Sequence, residues 1–418
     1  MHPRLTSTPA AATVFTMVLT QGPVSRVEIA RRSGLSSAAV TKAARPFIEA
    51  GYLEELEATE RTAPGAGRPA SPLSIRPERE FFCGVKITHE ELIGVVTDLR
   101  AQPLVSAHRP LATTSAEGVV SALAELVAEL LATDPAYGER CHALGLAVSG
   151  DVDKAHGVVR YSPFLQWHQV PLARLAAEAT GLAVTIENDV KSLTVAEQWF
   201  GDGVGTSSFA LVTVGVGIGC GLVVNDRVVA GAHGVAGEIG HIPVGGDEPE
   251  CHCGGRGCVE AIAGTAPLLA AARAASGDAS LTVDAAIDAA HAGDPAVREV
   301  FARAGHAIGL AMAAMANLFG PERIIVTGDV PGLASYGLFE EQLNRSFSAQ
   351  AFGAAADCRL LLRPRSFEQW ARGAAAVAIQ QHFTLEGAPL PGLRSAGSEA
   401  TGATREGSGS QRPRRLTK

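Results

Sequence analysis

The residues best equipped for chemistry lie between positions 237 and 260. Gly237-Glu238-Ile239-Gly240-His241 is followed by Cys251-His252-Cys253-Gly254-Gly255-Arg256-Gly257-Cys258-Val259-Glu260. One imidazole, His241, and three thiols, Cys251, Cys253 and Cys258, fall within eighteen residues. Three thiolates and one imidazole complete a tetrahedral zinc shell, and a shell with no open position is structural rather than catalytic. The tight Cys-x-Cys turn and the glycines before Cys258 let the backbone wrap an ion. Glu238 and Glu260 flank the set, where a rigid metal loop would hold them against a polar ligand.

The elements that position this block follow from pattern. The chain has 418 residues, enough for two or three domains, and 46% of them are hydrophobic. Phe81–Leu99 reads as two strands with a turn at His89-Glu90-Glu91. Ser115–Ala132 reads as a helix, Ala143–Val148 as a buried strand, and Val184–Glu187 as a strand feeding a helix from Asp189. Phe209–Val224 is a glycine-punctuated hairpin, and Phe367–Phe383 is a final helix. Strands mixed with helices predict an α/β body. Past Leu385, Pro, Gly, Ser, Thr and Arg dominate, and residues 385–418 are expected to form a disordered tail.

The first 77 residues differ from the rest. They carry nine Lys/Arg against six Asp/Glu, while the remainder carries 26 against 37. A basic head on an acidic body points to nucleic acid at the head alone. Ala11–Thr20 has helical spacing. Ser25 with Glu28 forms a capping-box pattern for a helix over Arg26–Ser33. Gly34 makes a turn, and Ser36 or Ser37 caps another helix through Arg45. Two short helices joined at a glycine form a helix-turn-helix, whose second helix enters the major groove. Ser36, Ser37, Thr41, Lys42 and Arg45 are its candidate DNA contacts, Arg45 suited to guanine and Lys42 to phosphate. Gly51–Leu56 and Pro72–Ile75 read as a hairpin wing with Arg68 near its tip. A three-helix unit that only dimerises or packs on the body is the alternative.

Seven cysteines without a disulfide pattern fit a reducing cytoplasm. No signal peptide is recognisable. The longest apolar stretch, Ala304–Phe319, carries His306 and Asn317, is too short for a bilayer, and predicts a buried helix.

The 237–260 block resembles the signature of the ROK family, the repressors, open reading frames and kinases of sugar metabolism. Gly51-Tyr52-Leu53 and Gly67-Arg68-Pro69 resemble the winged helix-turn-helix of its repressors, which its kinases lack. The resemblance implies an actin-like, hexokinase-like body of two lobes. The expected domains are a winged head over 1–77, a first lobe over 78–195 completed by a helix over 367–384, and a second lobe with the zinc site over 196–366. It also implies a sugar cleft. Glu187-Asn188-Asp189 matches the family's catalytic segment, and Asn188, Asp189, Glu238, His241 and Glu260 are the implied sugar ligands.

Against that pattern, Lys86 stands where kinases carry an Asp, and Thr88 and His89 replace glycines of the first phosphate loop. Val216 replaces a hydroxyl residue of the second loop. Asp329 stands where a second glycine is usual, and Phe164 replaces a sugar-binding Asn. The expectation is therefore a non-enzymatic, sugar-responsive repressor of carbohydrate genes. It would bind zinc, operator DNA and a sugar effector, form a homodimer or homotetramer, and have no membrane association. A sugar kinase with an appended DNA-binding head is the alternative.

Overall fold

The computed structural model describes residues 5–57, 71–246, 249–328, 336–363 and 365–383. Arg68, Asp329 and the 385–418 segment lie outside them. Among the described residues no helix is long and apolar enough to cross a membrane.

Three helices open the chain: Pro9–Gln21, Arg26–Ser33 and Ser37–Glu49. Thr8, Ser25 and Ser36 cap them, each accepting a hydrogen bond from a backbone N–H of the first turn. Gly34, at φ +72°, ends the second helix in the left-handed conformation that only glycine adopts freely. Pro46 sits inside the third helix, which nonetheless continues to Glu49. The expected two-stranded wing is a three-stranded sheet in which Pro72–Ile75 lies between Leu53–Glu55 and Val24–Ser25. The strand expected over Gly51–Leu56 is shorter because Gly51, at φ +77°, turns the chain first.

Two five-stranded sheets form the rest, and they share one topology. In the first, Phe81–Ile87, Glu91–Thr97 and Pro103–Pro110 form an antiparallel meander. Cys141–Val148 and Ala183–Asn188 then add in parallel on the other side of Phe81–Ile87. In the second, Phe209–Val214, Ile218–Val224 and Arg227–Val228 form the meander, and Arg323–Gly328 and Arg359–Leu362 add in parallel. Each parallel step needs a crossover, supplied by helices such as Ala116–Ala132 and Pro295–Phe319. The expected buried helix at 304–319 is the second half of Pro295–Phe319. Its end is not buried: Leu318 is 78% exposed. A small sheet over 151–170 has no counterpart in the sequence reading.

The last helix, Phe367–Phe383, crosses back onto the first sheet. Its backbone lies so close that a Cβ on Gly84 would sit 2.2 Å from the Ala371 carbonyl oxygen, and one on Gly145 1.8 Å from that of Ala374. Glycine is therefore required at both positions. The same helix ends in the core of the first three helices. Phe383 lies 4.4 Å from Phe15, ring centre to ring centre, and Phe15 stacks on Phe47 at 4.6 Å. Head and body thus share one apolar cluster.

Candidate functional site

The metal-type block lies beside the second sheet. A single 3-10 turn, Ile239–His241, presents the imidazole. The loop then returns through paired residues Glu250 with Arg256 and Pro243 with Cys258, and the helix Val259–Ala263 starts at once. Gly237, at φ +99°, is packed so tightly that a Cβ would meet the Cys220 carbonyl oxygen at 2.0 Å. One ligand atom from each of His241, Cys251, Cys253 and Cys258 lies within 4.8 Å of the others. Cys253 Sγ and Cys258 Sγ are 3.8 Å apart, and Cys251 Sγ is 3.6 Å from His241 Nδ1. A zinc tetrahedron with Zn–S of ~2.3 Å and Zn–N of ~2.0 Å has S···S edges of about 3.8 Å and N···S edges of about 3.5 Å. The donor set fits that ion in chemistry and in size. His241, Cys251, His252 and Glu260 also cluster, but that set contains one thiol rather than three.

Glu260 stands in the first turn of Val259–Ala263. Its Oε2 accepts from the Ile218 backbone N–H at 2.9 Å, and its Oε1 lies 2.5 Å from His252 Nε2. Sequence reasoning missed His252, since nothing in a Cys-x-Cys turn says where the middle side chain points. Glu238 is exposed at the surface, although protein packs around its carboxyl. Partial desolvation by that packing raises the carboxyl above the usual range against the pull of His241 and Lys191, and Glu260 and Asp189 raise it further. Asp189, Glu238, His241 and Glu260 therefore share one electrostatic neighbourhood.

Asp189 opens the buried helix Asp189–Phe200. Its carboxylate forms an ion pair with the Lys86 ammonium and accepts from Ser149 Oγ at 2.5 Å and from the Val190 backbone N–H at 2.9 Å. Burial pushes this carboxyl up, but the Lys86 charge and the hydrogen bonds outweigh it and hold it below the usual range. Lys86 also lies 5.5 Å from the centre of the Trp370 ring. The pairing spans 103 positions, and no local pattern announces it. Asn188 caps the same helix: its Oδ1 accepts from the Lys191 N–H at 3.2 Å, and its Nδ2 donates to the Gly150 carbonyl at 3.1 Å. Its amide is thus engaged within the protein at both ends.

The first turn, Ile87–Glu91, is closed by Thr88. Its Oγ1 donates to the Glu91 carbonyl and accepts from the Glu90 and Glu91 N–H groups at 3.2 and 2.9 Å. Phe164, 45% exposed, stacks on His89 with ring centres 6.5 Å apart.

On the third helix, Val40, Ala43, Ala44 and Phe47 are buried, whereas Ser36, Ser37, Thr41, Lys42 and Arg45 are exposed. The Ser36 hydroxyl caps the helix, and Thr41 Oγ1 donates to the Ser37 carbonyl at 2.9 Å. Arg45 Nε donates to Glu49 Oε1 at 2.6 Å.

The ROK family model matches residues 82–381. The chain belongs to the ROK family. Its body is accordingly the actin-like, hexokinase-like fold, seen here as two sheets of one topology. The DNA-binding transcriptional dual regulator NagC of Escherichia coli (strain K12) is 29% identical over 330 residues, 77% of this chain and 80% of that one. A solved ROK family transcriptional regulator, described as a homologue of the E. coli Mlc protein, is 25% identical with a TM-score of 0.75. It covers 92% of this chain and 98% of its own. A ROK family glucokinase from Streptomyces griseus, solved with glucose and AMPPNP, is 28% identical with a TM-score of 0.62. There the match covers 72% of this chain and 99% of the kinase.

Proposed function

We propose that this ROK protein is a sugar-responsive, DNA-binding transcriptional regulator, acting as a repressor of carbohydrate genes. One observation carries the reading. The regulator structure matches 92% of the chain, whereas the glucokinase structure is almost wholly used up by 72% of it. The difference is about the size of the head, which kinases lack. We read residues 1–77 as a winged helix-turn-helix; Ser37, Thr41, Lys42 and Arg45 are exposed on its second motif helix. Ser36 acts there as a cap, and Arg68 would meet DNA from the wing. The body comprises a first lobe over 78–195 with the helix 367–384 and a second lobe over 196–366. A cytoplasmic homodimer or homotetramer would present paired heads to a two-fold symmetric operator.

The effector site lies at Asp189, Glu238, His241 and Glu260. Carboxylates accept hydrogen bonds from sugar hydroxyls, and a partly dry cleft strengthens them. A zinc ion held by His241, Cys251, Cys253 and Cys258 would supply no chemistry. It would fix the loop that carries these groups. His241 Nδ1 faces Cys251 Sγ; were it to hold the zinc, Nε2 would carry the proton and offer a donor to the ligand. Asn188 supports the site by ordering the helix that carries Asp189.

The kinase alternative needs Asp189 as a free base. Its ion pair with Lys86 speaks against that role, as does Thr88, whose hydroxyl consumes N–H groups a phosphate loop would present. We infer that the protein is not an enzyme. A sugar acts on it only by preferring one lobe arrangement over another. The test is fluorescence anisotropy of the full chain on its own upstream DNA with a panel of sugars. Selective binding shifted by one sugar supports the reading. Selective binding that no sugar shifts removes the effector half. Absence of selective binding with ATP turnover dependent on Asp189 replaces it with the kinase.

A further inference from the structure

Phe164 is a large apolar side chain left 45% exposed, and the turn that presents it is firmly held. Ser162, Leu165 and Trp167 around it are buried, and Trp167 Nε1 donates to the Thr114 carbonyl at 2.7 Å. Between Leu165 and Trp167, Gln166 takes φ +56°, a left-handed conformation that few residues with a side chain adopt. Its amide nitrogen donates to the Pro163 carbonyl at 2.5 Å. Backbone strain of this kind gathers at ligand sites, and an aromatic ring shown to water gains by being covered.

This turn borders the Asp189 site. Ser149 Oγ donates to Asp189 at 2.5 Å and accepts from the Lys86 ammonium at 3.0 Å. The next residue, Gly150, accepts from Asn188 Nδ2 at 3.1 Å. A Cβ on Gly150 would stand 2.3 Å from the Tyr161 carbonyl oxygen and 3.0 Å from Ser162 Cα, and Phe164 follows Ser162 by two residues. His89, three residues beyond Lys86, reaches the same place from the first sheet. It is exposed, its ring stacks on Phe164 at 6.5 Å with 29° between the planes, and its Nε2 lies 3.4 Å from Glu90. A polar floor of Lys86, Ser149 and Asp189 thus has an aromatic rim. The charges beside it do not invite an anion. Asp189, Glu238 and Glu260 outnumber Lys86 and Lys191. Next to them, Asp151, Asp153 and Glu187 outnumber Arg160 and Lys154, with which they pair.

We propose that Phe164, backed by His89, determines the specificity of the effector site, and that the effector is a neutral glycoside. Its sugar hydroxyls meet the carboxylates, and the ring attached to that sugar, a second sugar or an aryl group, lies on the face of Phe164. The face of an aromatic ring is electron-rich, so it attracts the C–H groups of a pyranose and the edge of another aromatic ring alike. Binding sites of this kind join a few placed polar groups to an apolar wall. A sugar phosphate would bring its charge into a neighbourhood where carboxylates are in excess, and a free monosaccharide would leave the rim uncovered. The inference rests on the regulator reading above and narrows its effector from any sugar to one that carries a second ring.

Calorimetry of the full-length protein tests the assignment. Glucose, galactose, mannose, xylose and N-acetylglucosamine are each offered free and as their α- and β-p-nitrophenyl glycosides. Cellobiose, maltose, glucose 6-phosphate and p-nitrophenol form separate arms. The expected result is a glycoside or disaccharide that binds about tenfold or more tightly than its free sugar. Phe164→Ala should bring that ratio close to one, Phe164→Tyr should keep it, and Glu238→Gln should weaken both ligands alike. The assignment is overturned if no glycoside or disaccharide binds, or if a free sugar, the sugar phosphate or p-nitrophenol binds as tightly. It is overturned too by a ratio that survives Phe164→Ala. Anisotropy on the upstream DNA with the same ligands separates this inference from the regulator reading. Phe164-dependent binding that leaves DNA affinity unmoved keeps the aromatic rim and removes the effector half of that reading. A free monosaccharide that shifts DNA affinity where no glycoside does keeps the regulator and removes the rim.

Discussion

At the scale of single residues, the most consequential group is Lys86. Seen in sequence, it is only a missing aspartate. In the fold it is the counter-ion of Asp189, and both are buried. Removing one member of a buried pair strands the other charge, at a cost of about 3–5 kcal/mol. Lys86→Met should therefore destabilise the protein by that order in urea unfolding, and Lys86→Met combined with Asp189→Leu should recover much of the loss. Equal destabilisation in single and double variants would mean the pair contributes little. The Asp189 carboxyl titrates below its ordinary range, so its contribution is present at neutral pH and fades only as pH falls through that depressed value. The thiols give a second residue-scale prediction. Cys258→Ser, or exhaustive chelation, should remove bound zinc and lower stability by more than about 2 kcal/mol, read by metal analysis and thermal unfolding together. The donor types and spacing of that cluster were legible in the sequence because the imidazole and three thiols crowd into one short stretch. Lys86 with Asp189, and His252 with Glu260, were not, since side-chain pairing across a fold leaves no periodic trace.

At the scale of elements, the sequence was most readable where a cap or a period marked a boundary. Ser25, Gly34 and Ser36 each stand at the end they imply. The small sheet over 151–170 and the two-residue strand Val24–Ser25 escaped because such short strands carry too few residues to show alternation. The third helix gives a functional prediction. Arg45→Ala should cost about 1–3 kcal/mol of operator binding and relax base selectivity, while Lys42→Ala should weaken all sequences alike and reduce the salt slope by about one. Anisotropy titrations at several salt concentrations distinguish them. Should Arg45→Ala change neither, its pairing with Glu49 is its whole role. His108 ties two other elements together, facing Glu91 on its neighbouring strand and Glu368 on the last helix, each at 3.1 Å. Burial opposes the charged ring, but the two carboxylates outweigh it and raise its titration above the ordinary value. The tie is thus complete below about pH 6.5 and is lost as pH rises through the raised value. Because the ring is partly exposed, the effect is small. The melting point should fall by on the order of a degree or two across that window and stay flat in His108→Gln.

At the scale of the whole molecule, the α/β body and the basic head were legible in the sequence, but the common topology of the two sheets and the ring that joins head to body were not. Sequence suggests a head followed by a body, with the last helix returning to the first lobe. The structure carries that helix further, so that Phe383 enters the head's own core beside Phe15 and Tyr52. Phe383→Ala should cost about 3–5 kcal/mol. It should also make residues 5–57 cleave sooner under limited proteolysis, with the body's fragments unchanged. Cleavage unchanged throughout would show that the head's core closes without that ring.

The position of Phe383 also sets an order of events during synthesis. The head leaves the ribosome first, yet a ring that completes its core is made more than 300 residues later. Domains generally fold as they emerge, N-terminal first. On this packing, Phe15 and its neighbours stay incompletely covered until Phe383 has been made. A message cut short, or a ribosome stalled within the second lobe, would therefore yield a head that is poorly sealed and open to proteases. The cell would be spared a fragment able to occupy operators without being able to answer an effector.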